Sequence, residues 1–328
     1  MVSEPSVVVQ SAPNAEVSRP GRRPGRAGVR RLVAAAGLLA GVGAGLAVGV
    51  GPAGASAPTP TGYLEATAAG GVFAFGSTAA QGSPAASGVR LAKPVVGVAA
   101  THDGKGYWLV GADGGVFTYG DAAFYGAVPA GTRLEAPVVG IVPTPDGKGY
   151  WLVAADGGVF TYGDAAFYGS LPALEAKPAS PIVAMAATPD GKGYWLLGAD
   201  GGVFAFGDAP YLGNESSALG TAPDAAAVGI VSSADGQGYL VALADGTVTR
   251  FGDGLFVGST ITIGAVPSAP VVAIVATPDA KGYWLVGADG GIFTFGDAPY
   301  LGSVPAVLAD GGVTPATAPV VVGLAVAP

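Results

Sequence analysis

From residue 58 onward the sequence predicts an all-β protein: a single six-bladed β-propeller of four-stranded antiparallel blades, closed by pairing the C-terminal strand with the N-terminal blade. Three observations predict it. The chain carries 57 Gly and 27 Pro with only 12% charged residues, the composition of short strands joined by turns. A Gly-Tyr pair recurs at Tyr63, Tyr107, Tyr150, Tyr194, Tyr239 and Tyr283, at spacings of 44, 43, 44, 45 and 44 residues. Finally, the two ends look like complementary parts of one repeat. Four strands in about 44 residues is the period of a propeller blade.

The unit Pro94–Ala127 shows the elements in order. Val95–Ala100 is a small apolar run that suits the crowded innermost position. His102-Asp103-Gly104-Lys105-Gly106 is a turn, because Asp-Gly favours one. Tyr107–Gly111 is apolar on both faces, as a strand between neighbouring blades requires. Ala112-Asp113-Gly114-Gly115 is a tight hairpin. Val116–Tyr119 is the third strand, and after Gly120-Asp121-Ala122 the segment Ala123–Ala127 is expected as a short outer strand. Phe117, Tyr119, Phe124 and Tyr125 are expected to fill the wider space between diverging blades.

The ends supply the closure. Pro319-Val320-Val321-Val322-Gly323-Leu324-Ala325-Val326 matches a first strand, whereas Pro60-Thr61-Gly62-Tyr63-Leu64 resembles the turn and second strand of a unit. Pairing them completes a sixth blade and protects both edges. A pair of β-trefoils and a linear β-solenoid are the competing architectures. Both account less well for the split unit, and a solenoid needs capping units instead.

Residues 1–57 read differently. Arg19, Arg22, Arg23, Arg26, Arg30 and Arg31 precede an uncharged run from Leu32 to Val50, followed by Ala53-Gly54-Ala55-Ser56-Ala57. This is the layout of a bacterial export signal, preferred as cleaved after Ala55, with a retained anchor through residues 32–50 as the alternative. Arg30-Arg31 fits the twin-arginine route and the general secretory route serves equally well. The expected location is therefore extracellular or in the cell envelope.

Charge and residue content exclude several functions. The chain has net charge −8, and residues 58–328 alone carry 9 basic and 21 acidic side chains. Such a surface repels phosphate backbones, so nucleic acid is rejected as a partner. Cys is absent, which excludes disulfides, thiol catalysis and Cys-metal sites. His102 is the only histidine and stands where other units have Pro or Ala.

Aspartates recur at three positions per unit. Asp113, Asp156, Asp200, Asp245 and Asp289 lie in the hairpin and are expected to be structural turn residues. Asp103, Asp146, Asp190, Asp235 and Asp279 form a second set, and Asp121, Asp164, Asp208, Asp253 and Asp297 a third. Paired carboxylates also suit acid–base chemistry or Ca²⁺; no cofactor is expected beyond that calcium option. Trp108, Trp151, Trp195 and Trp284 share one register, with Leu64 and Leu240 in the other units. Packing explains that set better than sugar stacking. Residues 226–258 depart most: Leu240 replaces Trp, Thr249 replaces the Phe117 equivalent and Arg250 replaces Thr118. These three are the candidate ligand-binding residues, and no catalytic residue is assigned.

The phrase Asp-Gly-Lys-Gly-Tyr-Trp-Leu-Val…Asp-Gly-Gly-Val-Phe…Phe/Tyr-Gly-Asp-Ala resembles a repeat of exported actinobacterial propeller-like proteins, over nearly all of 62–328. The resemblance implies a secreted or surface location and transfers no catalytic residues. The turn at Thr188–Trp195 is also faintly similar to the Asp-box of sialidase propellers, but the Gly offset differs and only Arg90, Arg133 and Arg250 remain as arginines beyond the signal. The leading expectation is a non-enzymatic, monomeric binding or scaffold propeller with a glycan or protein partner. A carboxylate-dependent, glycosidase-like hydrolase using Glu65, Glu135 or Glu175, and a purely structural surface protein, are the alternatives.

Overall fold

The computed structural model describes residues 60–310 and 319–327. Residues 1–57, expected to be an export signal, lie outside them. Among the described residues no helix is long and apolar enough to cross a membrane.

The first two strands are β1 (Gly62–Thr67) and β2 (Val72–Gly76). Five triplets follow: β3 (Val95–Ala100), β4 (Gly106–Gly111) and β5 (Val116–Gly120); β6 (Val138–Pro143), β7 (Gly149–Ala154) and β8 (Val159–Gly163); β9 (Ile182–Ala187), β10 (Gly193–Gly198) and β11 (Val203–Gly207); β12 (Ala227–Ser232), β13 (Gly238–Leu243) and β14 (Val248–Gly252); β15 (Val271–Ala276), β16 (Tyr283–Gly287) and β17 (Ile292–Phe295). The last strand is β18 (Val321–Ala327), and two short helices, α1 (Glu215–Leu219) and α2 (Val304–Asp310), occupy connections. They form six three-stranded antiparallel sheets in a propeller-like arrangement.

The sixth sheet is composite, with order β18-β1-β2. Gly62 pairs with Ala327 and Leu64 with Ala325, so the chain's two ends share one ladder. A bulge confirms that β18 is a first strand of the repeat. In each sheet the first strand carries one extra residue against the second: Val96, Val139, Val183, Val228 and Val272, and Val322 in β18. An extra residue bends a strand and increases its twist, and here the same bend is applied six times. The first strands then touch in the succession β18, β3, β6, β9, β12, β15 and again β18.

The second strand of every sheet is the core. Trp108, Leu109, Val110 and their equivalents are essentially inaccessible to solvent. The hairpins have a glycine at positive φ because the next connection seats a side chain on it: a Cβ on Gly114 (φ 77°) would come within 2.4 Å of Val128.

Among the described residues the expected fourth strand is absent, so each blade has three strands and not four. Ala123–Val128 leaves its own sheet and runs into the gap before the next one. Its backbone is claimed by side chains: Trp108 Nε1 donates to the Ala123 carbonyl (2.8 Å), and Tyr150 Oη donates to the Gly126 carbonyl (2.6 Å) and accepts from the Tyr125 amide. A segment anchored in this way cannot also form a ladder with β5. Phe124 is not buried filler as expected; it is 60% exposed. Tyr125 does fill the gap, edge-on to Tyr150.

Candidate functional site

Antiparallel topology puts two of the aspartate sets on one face of the molecule. The turn from the first to the second strand and the end of the third strand lie at the same end of each sheet, and the hairpin lies at the other. Asp103 and Asp121 therefore meet, while Asp113 is remote from both.

The hairpin aspartates serve their own turn. Asp113 Oδ1 accepts from the Gly115 amide, Asp156 from Gly158, Asp200 from Gly202, Asp245 from Thr247 and Asp289 from Gly291, at 2.9–3.1 Å.

The other face is organised around a hydroxyl. Thr144 Oγ1 accepts the Gly149 amide and lies 3.0 Å from Asp146 Oδ1 and 3.1 Å from Asp164 Oδ1. Thr101, Thr188 and Thr277 repeat the arrangement with their own Asp pairs. A hydroxyl has one proton to give, so it cannot satisfy both carboxylates fully. In each of these turns the first Asp is compensated by a lysine two residues on, at 2.9–3.0 Å. Among the described residues the second Asp has no such cation.

That asymmetry separates the acidities within a pair. Burial raises the Asp190 carboxyl, but the hydrogen bonds from Lys192 outweigh it and hold the group down at about 2. Asp208 is raised, by its own burial and by the negative charge of Asp190. Asp146 is held down to about 2, chiefly by its hydrogen bond with Lys148.

Between the β6–β8 sheet and the β9–β11 sheet this face opens into a cleft of about 230 Å³. Asp146, Asp164 and Thr144 line one side, Asp190 and Tyr168 the other, with Trp151 at its floor. Tyr168 Oη donates to the Gly191 carbonyl, which fixes the ring across the cleft. Tyr125 makes the same bond to Gly147 one sheet earlier. Phe124, Phe167 and Tyr300 stand at one repeat position in three different units, each more than half exposed; of these, Phe167 is the chain neighbour of the cleft residue Tyr168. Among the described residues no group of three or more His, Asp or Glu is placed to hold a metal ion.

The expected ligand residues do not converge. Leu240 and Arg250 are register partners in β13 and β14 and so share a sheet face; Leu240 is buried and Arg250 exposed. Thr249, the next residue, points to the opposite face, where its Oγ1 donates to Glu215 Oε2 at 3.1 Å. Glu215 is buried at the position of Val128 and Leu171, with its carboxyl raised by burial. Thr249 thus replaces a phenylalanine to serve a buried carboxyl, a pairing visible in the sequence as two departures from the repeat in adjacent units.

The non-repeat carboxylates do not converge either. Glu65 is buried in β1, whereas Glu135 and Glu175 are exposed in separate connections, Glu175 with φ 54°. The four tryptophans are 0–1% exposed, with Nε1 bound to a backbone carbonyl, so they present no stacking surface.

Neither a protein-family model nor any curated protein matches the chain.

Proposed function

We propose that this is an exported, surface-associated binding or scaffold protein without enzymatic activity, built as one closed six-bladed propeller and acting as a monomer. Its ligand is a glycan or a protein of the cell envelope. The observation that carries the reading is the cleft between adjacent sheets, where carboxylates, a threonine hydroxyl and a fixed tyrosine converge, with the exposed ring of Phe167 next to that tyrosine in the chain. Carboxylates and hydroxyls exchange hydrogen bonds with sugar hydroxyls or peptide groups, and aromatic faces stack on apolar ligand surfaces. The closed ring is supported by the cyclic succession of first strands and by Tyr63, which reaches across the seam to the Gly302 carbonyl as each other tyrosine reaches the preceding sheet. Export is supported by the arginine-rich and apolar segments of residues 1–57, and by the resemblance to exported actinobacterial repeats.

The experiment is a glycan array together with pull-down of envelope polysaccharides and proteins, using wild type and the Asp164→Asn/Asp190→Asn double variant. Binding by wild type that weakens at least tenfold in the variant supports the cleft. Blank results on every probe would favour a purely structural surface protein.

A second reading rests on the Asp190/Asp208 pair. One carboxyl held down and its neighbour raised is the division of labour of a base and an acid, so a hydrolase of the glycosidase type is the alternative. A glycosidase substrate panel decides: turnover abolished by Asp190→Asn or Asp208→Asn alone would replace the binding reading.

A further inference from the structure

Glu65 stands in the middle of β1, in register with Leu324 of β18 on one side and Phe73 of β2 on the other. The same position in the other five sheets is Leu109, Leu152, Leu196, Val241 and Leu285, each fully buried. Glu65 is equally buried, and among the described residues neither carboxyl oxygen makes a well-formed hydrogen bond, the Val304 amide being the one backbone donor that bears on it. The carboxyl lies against the turn at Gly290, where an added Cβ would come within 2.7 Å of Oε2, beside Val304 of α2. One strand of the seam joining the chain's ends therefore carries a carboxyl where every other sheet has a hydrocarbon.

The surroundings favour its neutral form. Among the described residues, the ionisable groups facing it are Asp289, in that turn, and Tyr63, on its own strand. Strands β18, β2, β3, β15 and β17 contain none, Tyr283 of β16 is turned to the Gly258 carbonyl of the preceding unit, and the one in α2, Asp310, sits at its exposed far end. Asp289 is already engaged with Gly291 and Ser268, and no cation is at hand. Burial raises the Glu65 carboxyl to about 8; the Val304 backbone opposes this and the Asp289 charge adds to it.

We propose that Glu65 is a proton-held latch: protonated, it fills a leucine site and lets β1 and β18 stay joined, and its ionisation loosens that seam before any other part of the ring. The sign follows from proton linkage. An unfolded or opened chain ionises the carboxyl near its ordinary value of 4.5, while the closed protein keeps the proton up to about 8. Stability contributed by the protonated group is complete below the lower value. It declines as pH rises between the two, by about tenfold in the folding constant per pH unit, and levels off above the upper one.

The test compares the full chain with Glu65→Leu and the isosteric Glu65→Gln, by denaturation from about pH 5 to pH 9 and by hydrogen exchange at each pH. The expected result is that the folding constant of wild type falls relative to both variants by about a hundredfold or more between pH 5 and 8, and that amides of β1 and β18 lose protection first. Parallel pH profiles for wild type and variants would overturn the proposal. So would a pH-dependent loss spread evenly over all six sheets. Should Glu65→Leu fail to fold through overpacking, the Gln variant alone decides, since it keeps the shape and removes the titration.

Discussion

At the scale of single residues, the repeated tyrosine joins one sheet to the next. Tyr194 Oη donates to the Gly169 carbonyl at 2.5 Å and accepts from the Tyr168 amide at 3.2 Å. Both partners belong to the preceding unit, and the ring itself is wholly buried. Removing the hydroxyl strands a half-buried carbonyl and a half-buried amide, at a cost of about 1 kcal/mol or more. Tyr194→Phe is therefore expected to lower the melting temperature by several degrees without altering the circular dichroism spectrum. In sequence this tyrosine served to set the period, but its acceptor, some 25 residues earlier, was invisible. Nothing local marks Gly126 or Gly169 as a carbonyl to be capped from another sheet. The tryptophans were legible as core for the opposite reason, since Leu64 and Leu240 occupy the same site and only a packed position accepts that exchange. Their second task, tying down a carbonyl 15 residues on, required coordinates.

At the scale of the strand, the missing fourth strand gives Arg250 a meaning it lacked as a ligand candidate. With three strands per sheet, β2, β5, β8, β11, β14 and β17 are edges. An exposed edge invites pairing with another chain, and a charged side chain in its centre discourages it. Arg250 stands at that central position in β14, where β5 and β8 have Thr118 and Thr161 and β2 and β11 have Ala74 and Ala205. Arg250→Thr is expected to increase self-association, read as a concentration-dependent rise in sedimentation coefficient while the monomer's melting temperature is unchanged. Strand positions were legible because Asp-Gly and Gly-Gly turns bound them: β3 runs over the expected residues, and β4 and β5 differ from expectation by one residue at an end. The bulge was not legible. Val96 looks like any other valine in its run, and only the pairing with β4 shows that it has no partner of its own. Ala-Phe-Tyr-Gly has strand-like composition, yet the segment forms no outer strand because tertiary hydrogen bonds from Trp108 and Tyr150 decide its path.

At the scale of the molecule, the composite sheet, and with it the proposed ring closure, depends on a single strand supplied from the C-terminal part of the chain. β18 buries Val321, Val322, Leu324 and Val326, each worth about 1.5–3 kcal/mol when withdrawn from water. Deleting residues 319–328 is expected to lower the melting temperature sharply and expose β1 to exchange, whereas deleting a few exposed residues of the connection at 129–133 should change it little. An unchanged melting temperature on losing the strand would contradict closure. The seam was readable in the sequence, because a partial unit at each end is hard to explain otherwise. The candidate cleft was not: Asp146, Asp164 and Asp190 come from two different units, and their approach depends on how neighbouring sheets splay.

The pairing of Gly62 with Ala327 has a mechanical consequence. β1 starts and β18 finishes at the same point, so opposed forces on the two ends would peel the ladder one bond at a time, not shear it as a block. That point corresponds in the repeat to Gly106, beside the Thr101–Asp121 group, and so lies on the acidic face. Whatever is tethered to either strand at that point is thereby held on the side where the cleft opens. A covalent attachment there would aim that cleft toward the surface to which the protein is fastened.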